Sequence, residues 1–274
     1  MAAALASERG VKLRELEPSD FGLARRFPGR DHFWEQMTIG RVAARRGCDV
    51  ILSLANWGPV RGALPSVVVV HDNLTETFPN LYTPAYRRAR SAYMAALRRS
   101  AATVVTVSSA SRRQLEAYRR RPVAIARCGV RPPNPQHIDR LKAAVLEERR
   151  LEDKGYLLFV GSHDARKNWN FARMVTDRVQ HLGVEVVVTS RALPNVFRQG
   201  EDLPTRAVTH ILDPSDEQMW GLYAGALALI HPSHGEGFGL PLLEAAAVGT
   251  PFLTTAVGAA EDIAVDGRQI LPLI

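Results

Sequence analysis

A chain of 274 residues is long enough for two ordinary domains with buried cores, and 46% hydrophobic against 23% charged residues excludes a disordered or fibrous polypeptide. No apolar run approaches the roughly 20 residues of a membrane-spanning helix, MAAALASERG is too short in apolar length for a signal peptide, and Cys48 and Cys128 stand in no disulfide or zinc spacing, so a cytoplasmic protein is expected. The net charge of +7 is uneven, because residues 1–133 carry 22 Lys or Arg against 10 Asp or Glu (net +12) and residues 134–274 carry 13 against 18 (net −5). Nucleic acid, an anionic membrane surface or a phosphate-bearing acceptor would each suit the basic half.

Residues 1–30 show little periodicity, with Pro18, Gly22, Pro28 and Gly29 interrupting any long element. A helix is predicted over Asp31 to Arg46 and a strand over Val50 to Leu54. The four valines Val67 to Val70 read as a strand buried on both faces, and His71 and Asp72 follow it directly. In an open parallel sheet, ligands sit beyond the carboxyl ends of strands, which makes His71 a candidate site residue. Thr83 to Arg99 reads as a helix with Tyr86, Ala89, Tyr93 and Leu97 near one face and Arg87, Arg88, Arg90, Arg98 and Arg99 largely elsewhere. Such a basic amphipathic helix is either a solvated face or a surface for anionic lipid. A strand at Thr103 to Val107, a helix capped by one of Ser108, Ser109 or Ser111, the bases Arg119 to Arg121 and a short strand near Val123 to Ala126 complete this half. Gly129 to Gln136 is proline-rich and lies where the charge balance changes, so the domains are set at 1–133 and 134–274.

The second half opens on a charged helical stretch, Ile138 to Glu152, then an apolar strand, Tyr156 to Val160, the loop GSHDARKNWN and a helix from Trp169 to about Leu182. Strand, glycine, polar loop and helix is an arrangement that receives anions at the helix N-terminus. Arg166 and Lys167 lie in this loop, a two-pronged donor beside a point charge, suited to a diphosphate. Further strands are expected at Glu185 to Thr189, Val208 to Leu212 and Ala226 to Ile230. Alternating strands and helices in both halves predict an α/β protein with two doubly wound lobes and a cleft between them.

The last strand delivers HPSHGEGFGLPLLEAAAVGTP, from His231 to Pro251, in which Gly235, Gly237 and Gly239 free the backbone to approach a ligand. Pro241 and Gly249 bracket a short helix, Pro241 to Val248. Glu236 in the loop and Glu244 in the helix are separated by seven residues. A carboxylate can accept both hydroxyls of a vicinal diol, and loop amides can donate to sugar oxygens, so this segment suits a sugar joined to a nucleotide.

HPSxxEGFGLPxLEAxAxGTP closely resembles the E-x7-E signature of glycosyltransferase family 4, whose members are retaining enzymes of the two-lobed GT-B fold. VVVVHDNLTETFPN, TVVTVSSASRRQL, VGxxxxRKN and DPSDEQMWGLY resemble further segments of that family, and the likeness covers roughly residues 31–267. It implies two Rossmann-like lobes, with residues 1–133 facing the acceptor and 134–274 the nucleotide sugar. It also implies that Glu236 lies beside the donor sugar, that the amides of Gly237, Phe238, Gly239 and Leu240 hold sugar hydroxyls, and that Glu244 binds the ribose. Arg166 and Lys167 would neutralise the diphosphate, while His71 would lie near the anomeric carbon and share the catalytic role with Glu236. Transfer would proceed with retention and without metal or cofactor, from a nucleotide-sugar donor, GDP-mannose by the commonest relatives although UDP-sugars fit the same residues, and the basic first half points to a saccharide or lipid-linked acceptor at a membrane surface in polysaccharide biosynthesis. Three departures stand out: the usual N-terminal strand and glycine loop are not found, the C-terminal helices are missing, and Ser162 replaces an Arg common after the glycine. They keep a non-catalytic nucleotide-sugar binder or partner subunit as the alternative. Nucleic acid ranks last, since no aromatic-basic recognition motif accompanies the charge.

Overall fold

In the computed structural model, residues 10, 12–15, 38–54, 56–100, 102–118, 122–162, 164–191, 208–264 and 270–271 are described. The chain groups into two compact units, one of Met1–Asn73 with Arg88–Cys128, the other of Leu74–Arg87 with Gly129–Ile274. The main change of unit therefore falls at Cys128, with a second excursion at residues 74–87 that charge and proline content do not reveal.

The first unit holds α1 (Ile39–Arg45), β1 (Ile51–Ser53) and β2 (Ser66–Val69). After α2 (Leu74–Thr77) come α3 (Pro84–Arg99), β3 (Thr103–Thr106), α4 (Ser109–Tyr118) and β4 (Ala124–Ile125). Its strands are all parallel in the order β1-β2-β3-β4. Val68, Val69 and Val70 are at most 1% exposed, as a strand covered on both faces requires. Tyr93, Met94 and Leu97 of α3 pack on Val68, Val70 and Val104. Arg90, which the sequence placed with the bases largely away from the apolar face, is instead 2% exposed, while Arg87, Arg88, Arg98 and Arg99 face solvent. The predicted start of the first helix, residues 31–37, and the bases Arg119 to Arg121 lie outside the described residues.

In the second unit, α5 (Pro135–Arg149) is followed by β5 (Tyr156–Ser162), α6 (Trp169–Val179), β6 (Glu185–Arg191), β7 (Val208–Leu212) and α7 (Asp216–Gly225). β8 (Ala228–His231), α8 (Leu240–Ala247), β9 (Phe252–Thr255), α9 (Ala260–Ile263) and β10 (Ile270–Leu271) complete it. α5 starts three residues earlier than periodicity suggests, because Asn134 accepts the His137 amide at 2.9 Å and Pro135 takes a first-turn position. α7 opens on a capping box, Ser215 with Gln218. All of these described strands are parallel in the order β10-β9-β8-β5-β6-β7. Tyr156, Leu158, Val187, Leu222, Leu229 and Leu242 form one core cluster, and Phe159, Trp169, Val186, Val188 and Ile230 another.

The sheet order reverses direction at β5, which has β6 on one side and β8 on the other. Loops leaving the two central neighbours diverge there, so the crevice at their carboxyl ends is the expected ligand position in an α/β sheet. No helix among the described residues is long and apolar enough to cross a membrane.

Candidate functional site

The loops after β5 and β8 are laced together at that switch point. Asp164 accepts the Arg166 amide at 3.1 Å and caps a single 3-10 turn, Ala165–Lys167, which points both basic side chains at the neighbouring loop. Arg166 Nη1 donates to Gly235 O at 2.7 Å, and the His234 amide donates to Arg166 O at 2.9 Å. Asn168, in the left-handed region at φ 57, then turns the chain into α6 while its Nδ2 donates to Pro232 O at 3.3 Å.

Glu236 is the centre of the cluster. Arg166 Nη1 lies 2.8 Å from its Oε2 and Lys167 Nζ 2.6 Å from its Oε1, with all three side chains at most 10% exposed. Burial would push the Glu236 carboxyl up, but Lys167, then Arg166, together outweigh it and hold the group well below the usual carboxylate range. Burial likewise works against the Arg166 guanidinium, and Glu236 with Asp164 overcompensates, raising it. Asp164 is 1% exposed and takes the Ser162 hydroxyl at 2.5 Å, so Ser162 supports the acid that orients Arg166.

His231, 1% exposed, places Nε2 3.2 Å from Glu236 Oε1 but out of hydrogen-bonding alignment. Burial chiefly lowers its pKa, with Glu236 opposing and Lys167 and Arg166 adding. Neither Asp164 nor His231 was singled out in the sequence. The DxR spacing of Asp164 to Arg166 is the one local signal that could have flagged the first, and a histidine ending a strand that leads into a glycine-rich loop could have flagged the second.

A glycine makes room for the Lys167 stem. A Cβ at Gly161 would meet Lys167 Cδ at 2.7 Å and Cγ and Cε at 2.8 Å. Gly161→Ala is therefore expected to displace the ammonium without unfolding the sheet, because a flexible side chain, and not backbone, is what must move. In a structure of the variant the Lys167–Glu236 pair should be longer than 2.6 Å with the strand retained; an unchanged pair would show that the glycine does not set the lysine's placement.

The rest of the signature loop is closed from behind. Gly239, at φ 96, permits the turn into α8, which begins at Leu240, one residue before the expected Pro241. The Ala259 amide donates to Phe238 O at 2.9 Å, and a Cβ at Gly258 (φ 59) would lie 2.9 Å from Glu236 Cβ. Phe238 is 7% exposed and Leu240 43%. Gly237 and Gly239 are buried. Glu244, in α8, accepts the Tyr223 hydroxyl on Oε2 at 2.7 Å. Burial, with Asp216 adding and the Tyr223 bond opposing, raises the Glu244 pKa.

Arg166, Lys167 and Glu236 thus converge on one cluster of the second unit, with Glu244 standing on Tyr223 in the same unit. His71 belongs to the first unit: its amide donates to Asn56 Oδ1 at 2.7 Å and its Nε2 to Leu54 O at 2.7 Å. Among the described residues no group of three or more His, Cys, Asp or Glu is placed to hold a metal ion. Chemically, the cluster offers fixed cations, each with donors beyond those spent on Glu236, beside the start of α6.

Two family models match the chain, the one described as Glycosyltransferase Family 4 over residues 5–132 and the one described as Glycosyl transferases group 1 over residues 142–271. O-antigen chain mannosyltransferase B of Escherichia coli is 29% identical over 136 residues, 46% of this chain and 35% of that protein. Among solved structures, WaaG, a glycosyltransferase involved in lipopolysaccharide biosynthesis, is similar at TM-score 0.59 and 19% identity, over 81% of this chain and 64% of its own. HepE of Anabaena, solved in complex with UDP and glucose, gives 0.58 and 14% over 83% and 64%. Sucrose-phosphate synthase of Thermosynechococcus elongatus gives 0.57 and 18% over 81% and 59%. The matches span about a third of the mannosyltransferase's length and less than two thirds of each solved chain. The fold is thus of the GT-B class, built from Rossmann-like α/β units.

Proposed function

The chain belongs to glycosyltransferase family 4, and from that premise we propose that it transfers a hexose from a nucleotide sugar to a saccharide or lipid-linked saccharide in surface polysaccharide biosynthesis. The observation that carries the proposal is the buried cluster of Arg166 and Lys167 on Glu236 at the switch point of the second sheet. Departure of a nucleoside diphosphate concentrates negative charge on its terminal phosphate, and preorganised cations stabilise that charge without having to reorganise. Lys167 Nζ has three donors and spends one on Glu236, so the carboxylate fixes the ammonium and leaves it able to bind phosphate. These two residues supply the positive charge that a divalent ion supplies elsewhere, which supports metal-independent transfer.

In this reading Glu236 and the amides of Gly237, Phe238, Gly239 and Leu240 orient the donor sugar. His71 meets it at the reacting carbon, and transfer retains the anomeric configuration. GDP-mannose is the proposed donor, supported by the mannosyltransferase relative. The exposed Arg87, Arg88, Arg98 and Arg99 support contact with an anionic membrane that carries the acceptor. The test is product formation from labelled GDP-mannose, UDP-glucose and other nucleotide sugars, with saccharide acceptors free or anchored in anionic vesicles, with and without EDTA. Transfer of mannose in the presence of EDTA, with retention shown by NMR of the product, is expected. Donor binding without transfer to any acceptor would make the chain a nucleotide-sugar binder.

Glu244 is assigned to the ribose. Tyr223 occupies Oε2 and orients the carboxylate, leaving Oε1 for a hydroxyl. A hydrogen bond to a charged group contributes about 1.5–3 kcal/mol, so Glu244→Ala should weaken nucleotide-sugar binding by roughly 10- to 100-fold in calorimetry, with the fold retained. Unaltered affinity would remove Glu244 from the site.

A further inference from the structure

We infer that Arg90 is a positioning residue for His71: from the interior of the first unit it sets the orientation and the tautomer of that imidazole. The inference rests on the proposed role of His71 at the donor sugar, and its test separates the two.

Arg90 projects from α3 and is 2% exposed. A guanidinium remains charged at any depth, and burying a cation is costly unless something replaces water around it. Among the described residues no carboxylate does so here. Nη1 donates to Asn56 O at 2.5 Å and Nη2 to Asp72 O at 3.1 Å, while Cζ lies 5.5 Å from the Trp57 ring centroid and 5.6 Å from that of Tyr93. Two carbonyl dipoles and two ring faces take the place of a counterion.

Those carbonyls belong to the two chain segments that build the surroundings of His71. Asn56, two residues beyond Leu54, lies in the left-handed region at φ 62, sparsely used by residues other than glycine. Its side chain accepts the His71 amide at 2.7 Å, and its carbonyl is one of the two gripped by Arg90. Asp72, the other, directly follows His71. Leu54 O receives His71 Nε2 at 2.7 Å, and Ser111 Oγ donates to His71 O at 2.9 Å. A carbonyl can only accept, so Nε2 carries the proton in the neutral ring and Nδ1 keeps its lone pair. The Arg90 fork therefore clamps the segment that supplies the acceptor for Nε2 against the segment that carries the ring. The imidazole then presents Nδ1 as a hydrogen-bond acceptor, the chemistry that meets a sugar hydroxyl. Without the fork, the turn at Asn56 is free to relax and the Leu54 carbonyl to withdraw.

The experiment combines kinetics with the imidazole resonances of protein labelled with 15N-histidine, His71 being assigned by loss of its signal in His71→Gln. Arg90→Lys keeps the charge but not the fork. Its His71 signals should change from a single Nε2-protonated tautomer to an averaged one, and kcat should fall by about 10- to 100-fold, the scale of a misplaced reacting group, with the donor KM within about twofold because the nucleotide contacts lie in other residues. Arg90→Gln, which gives up the charge and the two-pronged fork while keeping a single amide donor for the Asn56 carbonyl, should reproduce both effects if Arg90→Lys fails to fold. A folded variant of either kind with the parental tautomer overturns the inference, whether or not kcat falls. If the tautomer changes while His71→Gln retains full turnover, the positioning stands and the role assigned to His71 at the sugar is lost.

Discussion

Replacing Glu236 by Gln is expected to remove both the proposed transfer activity and a large share of the stability of the second unit. Glu236 answers two buried cations at once, with side-chain exposures of 8–10% across the trio. An intact buried ion pair adds little net stability, since desolvation offsets attraction, yet deleting one partner leaves the other charge uncompensated at about 3–5 kcal/mol. Against a total of roughly 5–15 kcal/mol for a typical domain, that loss should be plain in a urea titration as a lower midpoint at unchanged slope. The pH dependence has a definite sign. Because the folded protein holds this carboxyl well below the usual range, its contribution is fully present above the ordinary carboxylate pKa and is lost as pH falls through the depressed folded value. The gap in stability between the parent and Glu236→Gln should therefore be widest near neutrality and close on acidification. A constant gap from neutral to acid pH would mean that the ion pairs contribute nothing in solution.

Lys167→Met should reduce kcat by about 100- to 1,000-fold, the loss measured when a preorganised group facing transition-state charge is removed. Methionine keeps much of the stem that lies over Gly161 and deletes the ammonium, and Arg166 still answers Glu236, so the fold should survive. Steady-state kinetics distinguish what the lysine does. A fall in kcat at nearly constant donor KM means that it acts on charge that develops as the diphosphate departs. A rise in KM at constant kcat means that it binds ground state and transition state alike, and the leaving-group role then fails.

Much of this site was legible in one dimension. Arg166, Lys167, Glu236 and Glu244 stand out because glycine, proline and charge occur at spacings with local structural meaning, a strand followed by a loop and a helix start. The valine run before His71 announces a strand covered on both faces, and the four valines are indeed interior or nearly so. Asp164 and His231 were harder to see, since each acts through residues that other elements deliver. Arg90 was set apart by its charge although its spacing, three residues before Tyr93 and seven before Leu97, puts it on the buried face of α3. Only the fold shows what receives the charge there, since Trp57 and the carbonyls of Asn56 and Asp72 reach that arginine from the loops after β1 and β2.

Local chemistry is written where it occurs. Repeats of 2 and 3.6, left-handed glycines and helix caps act over a few residues, and they were enough for the α/β class, the alternation of elements and the identity of the charged loops. Which charges meet is a matter of strand order. Arg166 and the Gly235 carbonyl are 69 residues apart and come within 2.7 Å only because β8 pairs with β5 after β6 and β7 have filled the other side. That pairing, a long-range outcome of burying two apolar faces, is what turned exposed-looking bases into a closed ion cluster.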